Sequence, residues 1–80
     1  MIAPTLPVLT TKLIRKHGRL ILQVLNHGQP LQQFTLKSQP KIQMRDLDGD
    51  GIADLVISIK KGRNFVVFAA FSGVTAARIV

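Results

Sequence analysis

No stretch of this chain longer than about ten residues is free of glycine or proline. In a helix interior glycine costs about 1 kcal/mol and proline about 3 kcal/mol relative to alanine. That punctuation leaves room only for short elements. Between the breakers lie short runs of Val, Ile, Leu and Phe, and no segment holds apolar residues at i, i+3, i+4 and i+7 over three turns. The pattern is one of strands joined by turns. At 80 residues the chain makes one small β unit with a modest core.

The breakers set the strand order. A first strand is expected from Pro7 to Lys16, ended by a tight turn at His17-Gly18, where glycine adopts a positive φ without a Cβ clash. A second runs from Arg19 to Leu25, followed by a longer turn, Asn26-His27-Gly28-Gln29-Pro30. A third spans Leu31 to Lys37 and is broken by Ser38-Gln39-Pro40. A short fourth, Lys41 to Arg45, leads into a loop, and a fifth covers Asp54 to Lys60. Lys61-Gly62-Arg63 turns into a sixth, Asn64 to Phe71. Ser72-Gly73-Val74 turns into a seventh, Thr75 to Val80. His17 and His27 each precede a glycine and read as turn residues. A meander puts them at opposite ends of the second strand, which argues against a His–His metal or acid–base pair.

The two halves echo each other. Gly18 maps onto Gly62 and Gly28 onto Gly73, offsets of 44 and 45 residues, and each half runs strand, basic turn, apolar strand, turn, mixed strand. A period of this size with about four strands per unit is that of a propeller blade, roughly 40–50 residues. Leu20-Ile21-Leu22, Leu55-Val56-Ile57 and Phe65 to Phe71 are apolar at successive positions, as strands covered on both faces are. The fold expected for residues 1–80 is therefore a single all-β repeat unit of antiparallel, four-stranded propeller-type blades. It amounts to about one and three-quarter blades: residues 7–37 as an incomplete first blade of three strands, and residues 41–80 as a second. Self-association, or flanking blades in a longer chain, would complete it.

All four acidic residues of the chain lie between positions 46 and 54, against eleven Lys and Arg in total. The stretch is Asp46-Leu47-Asp48-Gly49-Asp50-Gly51-Ile52-Ala53-Asp54. Carboxylates so close repel one another unless a cation sits among them, and a hard cation that takes six to eight oxygens, Ca²⁺, suits them best. Counting Asp46 as the first position, Asp48 and Asp50 can converge with it on one centre, and Gly51 allows a sharp turn. The Ile52 carbonyl can then face inward and Asp54 can close the shell. A helix–loop–helix calcium site would need its bidentate acid where Ile57 stands, in the middle of a strand.

Asp46-Leu47-Asp48-Gly49-Asp50-Gly51-Ile52-Ala53-Asp54-Leu55-Val56 resembles the calcium hairpin of FG-GAP repeats and of the related integrin-α-like and VCBS-type propellers. The resemblance is sharp over residues 41–59. It implies a Ca²⁺-closed hairpin between the first two strands of a blade, with side-chain ligands Asp46, Asp48, Asp50 and Asp54 and the backbone oxygen of Ile52. It also implies an extracellular, periplasmic or cell-surface setting, where calcium is abundant. Ile59-Lys60-Lys61 stands where the family's Gly-Ala-Pro signature falls, so integrin-type ligand recognition does not carry over.

The remaining features bound the function. The formal charge is +7, which suits anionic partners. The basic residues cluster at two turns, Arg15, Lys16 and Arg19 at one and Lys60, Lys61 and Arg63 at the other. Strand polarity puts both turns at one end and the acidic loop at the opposite end. There is no Cys, hence no disulfide or thiolate site. No apolar run reaches the ~18–20 residues of a membrane helix. The first seven residues lack the basic and apolar regions of a signal peptide. No Ser–His–Asp set lies outside the acidic loop, and no Gly-rich phosphate loop is present. These features point to a non-enzymatic calcium-binding module with a structural or interaction role. The alternative is a lectin-like propeller that binds a glycan or other polyanion through its basic face. Nucleic acid is disfavoured for want of Tyr and Trp. A third reading, a hydrolase fragment, would need catalytic residues from elsewhere.

Overall fold

A computed structural model of the chain describes residues 6–80. The leader-peptide reading of the first residues falls largely outside that range. Six strands are present: β1 (Leu9–Lys16), β2 (Arg19–Asn26), β3 (Gln29–Leu36), β4 (Lys41–Arg45), β5 (Asp54–Lys61) and β6 (Asn64–Phe71). They form two antiparallel three-stranded meanders, β1-β2-β3 and β4-β5-β6. The described residues contain no helix. Both sheets are open, and neither pairs with the other.

Turn chemistry sets the hairpins. His17 and Gly18 both take positive φ, 51° and 73°, and so do His27 and Gly28, 49° and 78°. Two successive left-handed residues make the two-residue turn whose twist matches that of the flanking strands. The longer turn expected over Asn26–Pro30 is therefore only His27-Gly28. Gln29 and Pro30 already belong to β3, where Pro30 faces Leu25 beside a register shift. An edge strand accepts a proline because one row of its N–H groups is unpaired. The β5–β6 turn instead places a single left-handed residue first, Gly62 at φ 66°.

One apolar core joins the sheets. Leu20, Leu22 and Val24 of β2 and Phe34 and Leu36 of β3 pack with Leu55 and Ile57 of β5 and Ala69 and Phe71 of β6. The alternation along β2 and β3 is the period-two pattern of a strand buried on one face. Phe34 sits between the sheets. Its ring meets Phe68 edge-on at 5.1 Å and Phe71 at 6.4 Å, and the Arg78 guanidinium lies 5.3 Å from its centre.

The apolar runs meet different fates. Every residue from Asp54 to Ser58 is buried, including Val56 and its cross-strand partner Ala70 on the face away from the core. In β6 only the second half is covered, and Phe65 and Val66 are 50% and 41% exposed near the hairpin tip. The Lys41 ammonium lies 5.5 Å from the Phe65 ring.

The seventh strand expected over Thr75–Val80 is reduced to one bridge, Phe71 with Arg78. The Ser72 hydroxyl accepts the N–H groups of Val74 and Thr75, and the Ser72 carbonyl accepts that of Ala76. That compact turn, with Ala76 at φ 64°, uses up most of the segment. Residues 77–80 do return beside β6, with Ile79 N–H donating to the Ala70 carbonyl at 2.8 Å. The second sheet is thus three-stranded where four strands are expected.

Candidate metal centre

The loop between β4 and β5 carries the acidic residues at the end of its sheet that also holds the Ser72–Thr75 turn. Gly49 and Gly51 take φ of 80° and 83°, and these left-handed positions curl the backbone N–H groups back onto the side chains. Asp46 accepts from Gly49 through Oδ1 and from Gly51 through Oδ2, both at 2.8 Å. Asp48 Oδ1 accepts from Asp50 at 3.3 Å, and Asp50 Oδ1 accepts from Ile52 at 2.9 Å. Asp side chains hydrogen-bonding two residues ahead are Asx turns, so the loop shape follows from its local sequence.

The result is a gathered set. Asp46, Asp48 and Asp50 each offer a carboxylate oxygen, all within 4.8 Å of one another, and all three residues are exposed. Two ligands on opposite sides of Ca²⁺, at about 2.4 Å each, lie about 4.8 Å apart. The three oxygens are close enough together to hold a metal ion.

Asp54 is placed differently. It is fully buried, and it ties three segments together. Its Oδ2 accepts the Leu47 N–H at 2.9 Å and its Oδ1 accepts the Gly73 N–H at 2.8 Å. Each oxygen keeps a lone pair beyond those bonds. Of the expected ligand set, the first three Asp are brought into one group, Asp54 braces the loop from behind, and Ile52 closes the final Asx turn through its N–H.

The electrostatics separate these roles. The Gly73 and Leu47 N–H groups hold the Asp54 carboxyl below its ordinary range. Gly51 chiefly does the same for Asp46. Asp48 moves the other way: desolvation raises it, with the nearby charges of Asp50 and Asp54 adding to the effect. A bound cation would favour the charged form there.

Gly73 has a role not read from the sequence. A Cβ at this position would collide with the carbonyl oxygen of Ala53 and lie 3.1 Å from the Ile52 side chain. Its backbone must approach the loop closely to reach Asp54. The sequence signal was the glycine itself, which also fits an ordinary turn.

The basic residues expected at two turns, Arg15, Lys16 and Arg19 and Lys60, Lys61 and Arg63, are all exposed. Each turn lies at the end of its sheet opposite to the acidic loop or its equivalent. Lys37, just after β3, joins them as a residue the turn-based reading missed. No helix of the described residues is long and apolar enough to cross a membrane. No protein-family model matches the chain, and no curated protein or solved structure matches it either.

Proposed function

We propose that the chain is a calcium-binding β-propeller repeat module, in which Ca²⁺ held by Asp46, Asp48 and Asp50 stiffens the β4–β5 loop. The carrying observation is the convergence of those three carboxylates in a loop whose backbone already orients them. Asp54 and the Ile52 carbonyl complete the ligand set in this reading. The role is structural rather than catalytic, since every carboxylate of the chain sits in this one loop.

Assembly into a larger ring is part of the same proposal, either from several copies or within a longer chain. Its support is apolar surface beyond the core. Leu13 on β1 faces Leu22, and Ile42 and Met44 on β4 face Ile57 and Leu55. These edge residues share the core-facing sides yet are 41%, 37% and 54% exposed. Apolar side chains left exposed on the core-facing side of edge strands are surface that a further strand or copy could cover. An extracellular, periplasmic or cell-surface setting, where Ca²⁺ is plentiful, fits a site built from exposed carboxylates.

Calorimetric titration with Ca²⁺, together with melting in Ca²⁺ and in chelator, tests the metal reading. Wild type should bind one ion and melt higher with it. Asp50→Asn should weaken binding by more than about tenfold, because the ion loses one of its carboxylate charges. Asp48→Asn should lose the calcium gain but melt no lower than wild type in chelator, because it keeps an acceptor oxygen for the Asp50 N–H and removes a charge that desolvation, with the neighbouring carboxylates, disfavours. A melting temperature indifferent to Ca²⁺ in wild type rejects the proposal. Mass by light scattering addresses assembly, and a stable monomer under all conditions rejects self-association of this chain.

A further inference from the structure

The basic residues meet a cleft at the end of the molecule away from the acidic loop. The β1–β2 turn, the β3–β4 link and the β5–β6 turn all lie there, as the antiparallel order requires. Between them are two lobes of about 280 and 440 Å³. The end of β3, Thr35 to Lys37, is common to both. Arg19 lines the larger lobe, and Lys60 the smaller. Leu36, Ile59 and the half-buried Phe68 supply apolar lining in the smaller lobe, and Thr35 and Ser38 line it too.

No carboxylate lies at this end, because all four occupy positions 46–54. The cations around the cleft therefore have no acidic side chain to neutralise them, and their fields add. Lys37 is placed between the two turn clusters and belongs to both lobes.

We infer that this cleft binds a linear sulfated polysaccharide lying across the Thr35–Lys37 ridge. Sulfates meet Arg19 on one side and Lys60 on the other, and Lys37 contacts the unit between them. The apolar face of a sugar ring rests against Leu36, Ile59 and Phe68, and the Thr35 and Ser38 hydroxyls meet its polar edge. A single-stranded nucleic acid fits less well, because it needs a succession of exposed aromatic platforms. The cleft has one ring, Phe68, and that ring already packs edge-on against Phe34. This site is at the opposite end from the metal loop and does not rest on the calcium reading.

Titration of the 80-residue chain with heparin, at fixed free Ca²⁺ and over a series of salt concentrations, tests it. Wild type should bind, with affinity falling as salt rises. Lys37→Gln should weaken binding about 3- to 10-fold and reduce the log–log salt slope by roughly one unit, the contribution of one lost ion contact. Lys12→Gln makes the same charge change on β1, outside the cleft, and should stay within about twofold of wild type. Both lysines are exposed, and an unchanged melting temperature verifies that each variant is folded. Equal losses in the two variants would reduce the effect to net charge and overturn the site. Failure of wild type to bind heparin, or equal binding of desulfated heparin, overturns it as well. Single-stranded DNA binding as tightly, with the same Lys37→Gln sensitivity, overturns the choice of ligand.

Discussion

Asp54 Oδ1 accepts the backbone N–H of Gly73 at 2.8 Å across nineteen residues of sequence. With the Leu47 bond to the other oxygen, it fastens the acidic loop, the start of β5 and the turn after β6 to one buried carboxylate. Asparagine has the same shape but only one acceptor oxygen, so Asp54→Asn would set an NH₂ against one of the two N–H donors. The variant should melt lower by on the order of 10 °C, and the loss should persist in chelator. Thermal denaturation with and without Ca²⁺ gives the answer. A deficit confined to calcium-loaded protein would make Asp54 a ligand alone and not a brace.

Acid should act through the same residue. Asp54 and Asp46 both have folded-state pKa values below the ordinary 3.8. Their contribution to stability is therefore fully present above the unfolded value, and it is lost as pH falls through the folded ones. Asp48 is raised, chiefly by desolvation, so its protonation in the folded protein comes first and does not cost stability. In chelator the melting temperature should hold from neutral pH down to about pH 5 and drop below about pH 4. Asp54→Asn should flatten that drop. Stability that climbs steadily down to the lowest pH would show that repulsion in the loop outweighs the hydrogen bonds.

Much of this was legible locally. His17-Gly18 and His27-Gly28 mark hairpins because few other pairs take two left-handed positions in succession, and six of the strands fall where the breakers leave room. The gathering of Asp46, Asp48 and Asp50 follows from Asx turns within a few residues. What stayed hidden depends on long-range placement. Nothing local tells that Asp54 faces Gly73, or that Lys37 sits between two distant turns. The seventh strand failed because the Ser72 hydroxyl captures the next backbone N–H groups, a choice propensity cannot foresee. The apolar run of β6 gave no sign that its covering stops midway, since burial there is set by the opposing sheet.

Gly73 tests the close approach directly. Its Cα hydrogen faces the Ala53 carbonyl, where a methyl group has no room. Gly73→Ala should cost about 1–3 kcal/mol or more, the penalty of overpacking against backbone that cannot shift alone. Gly49→Ala is the control. A Cβ there meets open space, but the residue sits at φ 80°, so its cost should be conformational only, about 1 kcal/mol. Chemical denaturation of both variants compares them. If Gly73→Ala is as stable as wild type, the loop and the turn are not in contact in solution.

The two sheets share no backbone pairing, so their cooperativity rests on side chains, above all on Phe34. This ring touches Phe68, Phe71 and Arg78 of the second half of the chain. Phe34→Ala should cost about 3–5 kcal/mol. A chain of 80 residues has a total stability of roughly 4–12 kcal/mol at ordinary per-residue values. The substitution would thus remove a large share of it. Phe34→Leu keeps most of the volume and should cost less. The sharper reading comes from amide hydrogen exchange at Leu22 and Ile57, the buried centres of the two sheets. In Phe34→Ala both amides should lose protection together, because the cluster that holds one sheet is the cluster that holds the other. Retained protection at Ile57 with loss at Leu22 would mean that β4-β5-β6 folds without its neighbour.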